Sequence, residues 1–93
     1  MIVLNVFIDV KPDKEEDFLE SINKLITKSR LEKGNISYNM FKQTDEEYQY
    51  VTIEYWEDEH ALELHNSSVH FNKFSATIND FLVKPMAFKK YLD

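Results

Sequence analysis

The chain has no cysteine, a single glycine, a single tryptophan and only two prolines among its 93 residues. Without cysteine there is no disulfide framework, no thiolate metal centre and no cysteine nucleophile. Gly34 stands alone, which excludes the phosphate-cradling and dinucleotide-binding loops, since those need several glycines in a short span. No apolar run approaches the roughly 18 residues of a membrane-crossing helix. The opening Met1-Ile2-Val3-Leu4-Asn5 carries neither a basic leader nor a cleavable hydrophobic segment, so a cytoplasmic location is expected. Basic residues are also scarce: 11 against 17 acidic ones, for a formal charge of -6. That balance argues against nucleic acid and anionic membranes as partners, because both are held by basic stripes.

What the chain does have is large apolar side chains. It is 43% hydrophobic, with seven phenylalanines and five tyrosines. This is too much buriable surface for a disordered segment. The length suits one domain over residues 1–93, of a size that folds with a thin margin.

Residues 2–9 alternate: Ile2, Leu4, Val6 and Ile8 point one way, and Val3, Asn5, Phe7 and Asp9 the other, as in a strand. Lys11-Pro12 ends it. Asp13 and Glu16 have the spacing of a capping box at a helix start. Phe18, Ile22, Leu25, Ile26 and Ser29 then share one helical face. Gly34 follows, placed as a C-terminal glycine in the left-handed conformation. Residues 35–43 read as a second strand with Ile36, Tyr38 and Met40 on one face. Thr44 to Glu47 is a polar turn. Residues 48–56 read as a third strand, with Tyr48, Tyr50, Thr52, Glu54 and Trp56 opposite Val51, Ile53 and Tyr55. Asp58 opens a short helix through His65, Asn66-Ser67-Ser68 interrupts it, and a second helical stretch runs from Val69 to Leu82. Residues 83–92 form the last strand, with Pro85 marking a sheet edge or exchange point.

The order βαββαβ predicts an α+β, ferredoxin-like domain, an antiparallel sheet with helices on one face. The other face should then be polar. Here both faces carry large apolar groups, and two helices hide only one. A second copy packed sheet to sheet, an isologous homodimer, is the simplest remedy.

Several residues stand out chemically. His60, His65 and His70 recur every five positions, so on a continuous helix each step turns about 140° and they share no face. The 66–68 break can realign them, but no carboxylate spacing accompanies them, so no metal is expected. Glu54 lies among aromatics and, if inward, needs a partner. Asn5 is a polar amide in an apolar strand. Tyr38, Trp56, Phe71 and Phe74 suit a core, or a pocket for a flat aromatic ligand.

Taken together, these segments resemble a known family. Ser29-Arg30-Leu31-Glu32-Lys33-Gly34 with Tyr38 after it, Glu54-Tyr55-Trp56-Glu57-Asp58, and Ala61 followed by His65, Ser68, His70 and Phe71 resemble the antibiotic biosynthesis monooxygenase family. The resemblance extends over nearly the whole chain. It implies a dimeric α+β barrel, with a pocket between sheet and helices in each subunit. Relatives include cofactor-independent quinol monooxygenases that use molecular oxygen, heme-degrading enzymes, an isomerase of a phosphorylated sugar, and members without established activity.

Asn5 resembles the pocket asparagine of the heme-degrading branch. The chain departs from that branch by having no tryptophan after Trp56, and His65 stands near that place. The His65/His70 motif resembles the quinol monooxygenase and isomerase branches. The isomerase needs a phosphate site, which Arg30 and scattered lysines do not visibly supply. The resemblance therefore implies a monooxygenase of a small aromatic, quinol-type substrate, with oxygen as co-substrate and no cofactor. His65 is the expected base, oriented by Glu54 or His70, and Asn5 the expected oxyanion donor. Tyr38, Trp56, His70, Phe71 and Phe74 are expected to line the pocket. The competing expectation is a dimer that binds a small molecule without transforming it.

Overall fold

A computed structural model describes residues 1–93. Its strands are β1 (Ile2–Asp9), β2 (Asn35–Lys42), β3 (Gln49–Trp56) and β4 (Ala87–Leu92), and its helices α1 (Glu15–Ser29), α2 (Glu59–Asn66) and α3 (Val69–Thr77). The strands form one antiparallel sheet in the order β2-β3-β1-β4, the ferredoxin-like arrangement the element order predicts. Register along the central pair runs from Ile2 opposite Trp56 to Asp9 opposite Gln49.

Strand alternation and helix periodicity meet in one core. Ile2, Val6 and Ile8 of β1 join Tyr50 and Trp56 of β3 against Phe18, Ile22, Leu25 and Ile26 of α1. Trp56 and Phe18 are completely buried. The opposite sheet face has no helix over it. There Val3, Val51, Ile53 and Tyr55 stay half-buried, while Phe7 and Phe41 are 41% and 52% exposed.

Local details differ from expectation in instructive ways. Asp13 does not cap α1. Pro12–Lys14 forms a 3-10 turn closed by the Lys14 amide on the Lys11 carbonyl, so the N-cap of α1 moves one residue on, to Lys14, and carries no side-chain cap. Gly34 is not left-handed. It is required for close approach instead: a Cβ there would lie 2.2 Å from the Ala61 Cβ. The loop after α1 thus rests directly on α2. The residue that does take a positive φ is Tyr48, at 68°, where the β2–β3 loop re-enters the sheet. A bulge between Asn35 and Ser37 breaks the alternation of β2, and Ile36 is exposed instead of sharing the buried face of Tyr38.

The helical stretch after Ser68 ends as α3 at Thr77 and continues as a 3-10 turn over Ile78–Phe81. The last strand begins at Ala87, not Val83. Leu82 makes an isolated bridge to Val10, Pro85 lies outside the ladder, and pairing with β1 resumes at Ala87 opposite Phe7. None of the helices is long and apolar enough to cross a membrane.

Candidate functional site

Between the sheet and the helices lies a small apolar hollow of about 30 Å³. Leu4, Val6 and Ile8 form its floor, Leu25 and Phe74 close it from the helices, and Met86 and Phe88 stand at the β4 side. Three titratable groups face it, Tyr38, Glu54 and His65, and all are almost wholly buried.

Glu54 sits mid-strand on the covered face because even-numbered residues of β3 point inward. The Thr52 hydroxyl donates to Glu54 Oε2 at 2.8 Å and the Trp56 indole N–H to Oε1 at 3.2 Å. Burial raises its pKa to about 7, against bonding from Thr52, Trp56 and Tyr38 that favours the carboxylate. Tyr38 is pushed well above the usual phenol range, by burial first and by the Glu54 charge second. Glu54 therefore changes protonation close to neutrality, which is unusual for a carboxyl and suited to proton transfer.

His65 closes α2. Asp58 caps the start of that helix through the Ala61 amide at 2.8 Å. At the break, the Ser68 hydroxyl donates to the His65 carbonyl at 2.7 Å and accepts from the Phe71 amide at 3.2 Å. One serine thus ends α2 and caps α3, and it turns the chain so that His65 and His70 converge. Their ring centroids are 6.0 Å apart. His60, in contrast, lies exposed away from the hollow.

The two imidazoles meet on Glu32. His65 Nδ1 lies 2.7 Å and His70 Nε2 2.9 Å from the same oxygen, Glu32 Oε2. Glu32 reaches this position because turns continue the chain beyond α1: its amide bonds the Ser29 carbonyl, and Asn35 bonds the Glu32 carbonyl. With a carboxylate on Nδ1, the proton of neutral His65 resides there and the lone pair on Nε2. Burial lowers the His65 pKa, while Glu32 acts to raise it. Three aromatic rings fix the imidazole: Trp56 at 4.5 Å, Phe71 at 5.1 Å and Tyr38 at 6.0 Å between centroids.

The structure brings His65, Glu54, Tyr38, Phe71 and Phe74 together around the hollow. Trp56 and His70 stand behind them: Trp56 as the platform under His65 and the donor to Glu54, His70 as the second ligand of Glu32. Asn5 is not part of this group. It pairs with Ile53 and Lys89 and alternates onto the uncovered face, opposite to the side on which Leu4 and Val6 line the hollow. The orienting partner of His65 is Glu32, in place of the Glu54 or His70 expected from the sequence. Glu32 lies within the helix-end motif Ser29–Gly34, but nothing in its spacing shows that it crosses 33 positions to reach His65.

Glu32, His65 and His70 are also a donor set of the type that holds divalent metals, with their ligand atoms all within 4.8 Å of one another. As arranged, the carboxylate bonds one nitrogen of each imidazole, Nδ1 of His65 and Nε2 of His70.

The fold and site define a ferredoxin-like α+β domain whose buried imidazole–carboxylate pair adjoins an apolar hollow. Residues 1–77 match the family described as Antibiotic biosynthesis monooxygenase, and the chain belongs to it. It is 42% identical over 86 residues to YcnE of Bacillus subtilis (strain 168), a protein provisionally named a monooxygenase, covering 92% of this chain and 90% of that one. A structure from Nitrosomonas europaea, provisionally described as an antibiotic biosynthesis monooxygenase, superposes with a TM-score of 0.94 at 25% identity, covering 100% of this chain and 98% of the other. A conserved protein from Methanosarcina mazei Go1 gives 0.93 at 27% identity, covering 97% and 89%. Family and relatives together support a monooxygenase-like role.

Proposed function

We propose that this protein is a homodimeric, cofactor-independent monooxygenase of a small, electron-rich, quinol-type aromatic. The observation that carries the reading is the buried His65, held by Glu32 on Nδ1 so that Nε2 is a free base beside an apolar hollow. Removing a proton from a quinol hydroxyl makes an electron-rich anion that passes an electron to oxygen. The balanced reaction takes quinol and oxygen to a hydroxyquinone and water. One oxygen atom enters the ring, the other leaves as water, and the substrate itself supplies every electron.

The protein supplies proton removal, positioning and exclusion of water. Tyr38 takes the place expected for Asn5 as hydrogen-bond donor to the developing oxyanion, turning its one hydroxyl proton from Glu54 to the substrate oxygen, and its raised pKa keeps that proton in place. His70, more exposed than His65 and bonded to the same oxygen of Glu32, offers the abstracted proton a route to solvent. At about 30 Å³ the hollow holds only one or two waters. A ring therefore enters by displacing side chains at the rim, the unbranched Met86 and the half-exposed Phe88 among them.

Oxygen uptake with a panel of quinols in metal-free buffer tests the reading. Stoichiometric uptake with appearance of hydroxyquinone is expected. Binding without uptake would identify a binding protein, and turnover without oxygen an isomerase; either result rejects the proposal.

The homodimer rests on the uncovered sheet face, where Phe7, Phe41, Val51, Ile53 and Tyr55 form an apolar surface that water would otherwise contact. Ile53→Lys should convert the dimer to a monomer in sedimentation at micromolar concentration. A wild-type chain that sediments as a monomer would remove this part of the reading.

A further inference from the structure

A second cleft, of about 120 Å³, backs onto the hollow and shares Leu25 and Phe74 with it as a common wall. Its other walls are cationic or polar. Lys24 and Lys28 come from one turn of α1 and the next, and His70 and Lys73 from one turn of α3. Ser21 completes the rim with a hydroxyl. In a chain of net charge -6, three lysines gathered around one cavity run against composition. Lys24 is paired with Glu20 at 3.3 Å, but Lys28 and Lys73 enter no ion pair. Like charges brought together without counterions repel one another, and an anion between them relieves that repulsion.

We infer that this cleft is an anion subsite, and that the ligand entering the neighbouring hollow carries an acidic substituent, a carboxylate, sulfonate or phosphate. The inference rests on the proposed aromatic substrate for what fills the hollow, but the cleft's preference for an anion is independent of any reaction. His70 belongs to both places: it lines the cleft and bonds the carboxylate that holds His65. An anion bound there therefore connects to the His65 imidazole through two hydrogen-bonded residues, His70 and Glu32. Leu25 and Phe74 line both spaces, so they are the side chains that part when one ligand fills the hollow and sets its acid group among the lysines.

The experiment compares two probes of the same shape, 2,5-dihydroxybenzoate and 2,5-dihydroxybenzamide, by calorimetry under nitrogen so that no reaction intervenes. The acid should bind about tenfold tighter at low salt and lose that advantage in 0.5 M NaCl, because exposed charges are screened. The double substitution Lys28→Gln/Lys73→Gln should remove the advantage while leaving the amide's affinity unchanged. Both lysines are exposed and unpaired, so the fold is expected to persist, which circular dichroism checks. Equal affinity for acid and amide in the wild-type protein overturns the inference. If neither probe binds, the quinol reading fails and inorganic phosphate decides. Salt-sensitive phosphate shifts of the His70 resonances, lost in the double variant, keep the cleft as an anion site, and their absence ends it.

Discussion

His65→Ala is expected to lower turnover of a confirmed quinol at least a hundredfold, about 2.7 kcal/mol of transition-state stabilisation. The magnitude follows from the surroundings of the ring. A base at 3% side-chain exposure competes with little water, and its Nδ1 is committed to Glu32, so every productive encounter uses Nε2. Removing the imidazole leaves the apolar walls and Tyr38, which bind and polarise but cannot take the proton.

Because His65 titrates below the ordinary histidine value, activity should fall as pH drops through that lowered pKa and stay level above it. Glu32→Gln should cost less, about tenfold, since the imidazole remains but loses the acceptor that fixes its tautomer. That variant should also move the acid limb of the rate profile further down, because Glu32 is what holds the His65 pKa up against burial. Melting curves of both variants separate lost chemistry from lost packing. A His65→Ala protein that melts normally and turns over at the wild-type rate would reject the assignment.

How far the sequence foretold this arrangement depended on the range of each signal. Period-two and period-3.6 patterns carry which residues share a face, and they grouped Ile2 to Ile8, the α1 stripe ending at Ser29, and Tyr50 to Trp56 as the structure does, while leaving open that Glu54 and Trp56 point inward. The Asn66-Ser67-Ser68 interruption was legible too, because a serine that can cap the next helix is a local signal. Glu32 was not legible as the partner of His65. A carboxylate within a charged run looks like solvated surface until a tight turn after α1 carries it against α2 and α3.

Asn5 was misplaced for a different reason: which face of a strand holds the pocket is decided by where the helices pack, not by the strand itself. Gly34 shows the same limit. A glycine after a helix suggests a left-handed cap, whereas here the backbone is ordinary and the constraint is the Ala61 methyl on another helix. The lysines of the anion cleft also read as scattered along the chain, and only the packing of α1 beside α3 collects them.

The stability of the protein should depend on pH through Glu54, and the direction is fixed. An unfolded glutamate titrates at 4.5, whereas folded Glu54 keeps its proton up to about 7. Between those values the native state binds more protons than the unfolded one, so stability falls as pH rises through this window. The full cost above neutrality is about 3 kcal/mol, the linkage equivalent of that displacement. His65 acts in the opposite sense. Its pKa is lowered on folding, so the native state binds fewer protons there and stability is lost as pH falls below 6.5.

The wild-type profile is therefore flatter than Glu54 alone would give. Glu54→Gln isolates the carboxyl, because the amide oxygen accepts from the Trp56 indole, its NH2 donates to the Thr52 hydroxyl, and the side chain carries no charge at any pH. Urea denaturation at intervals from pH 5 to pH 8 should show the variant gaining on the wild-type protein by up to about 3 kcal/mol, most of it between pH 5 and 7. A difference that stays constant across that range would mean that Glu54 is as well solvated in the native protein as in the unfolded chain. It would then be an ordinary carboxylate at neutral pH, unable to hold a proton beside the hollow, and His65 would be the only group there able to exchange one with a substrate.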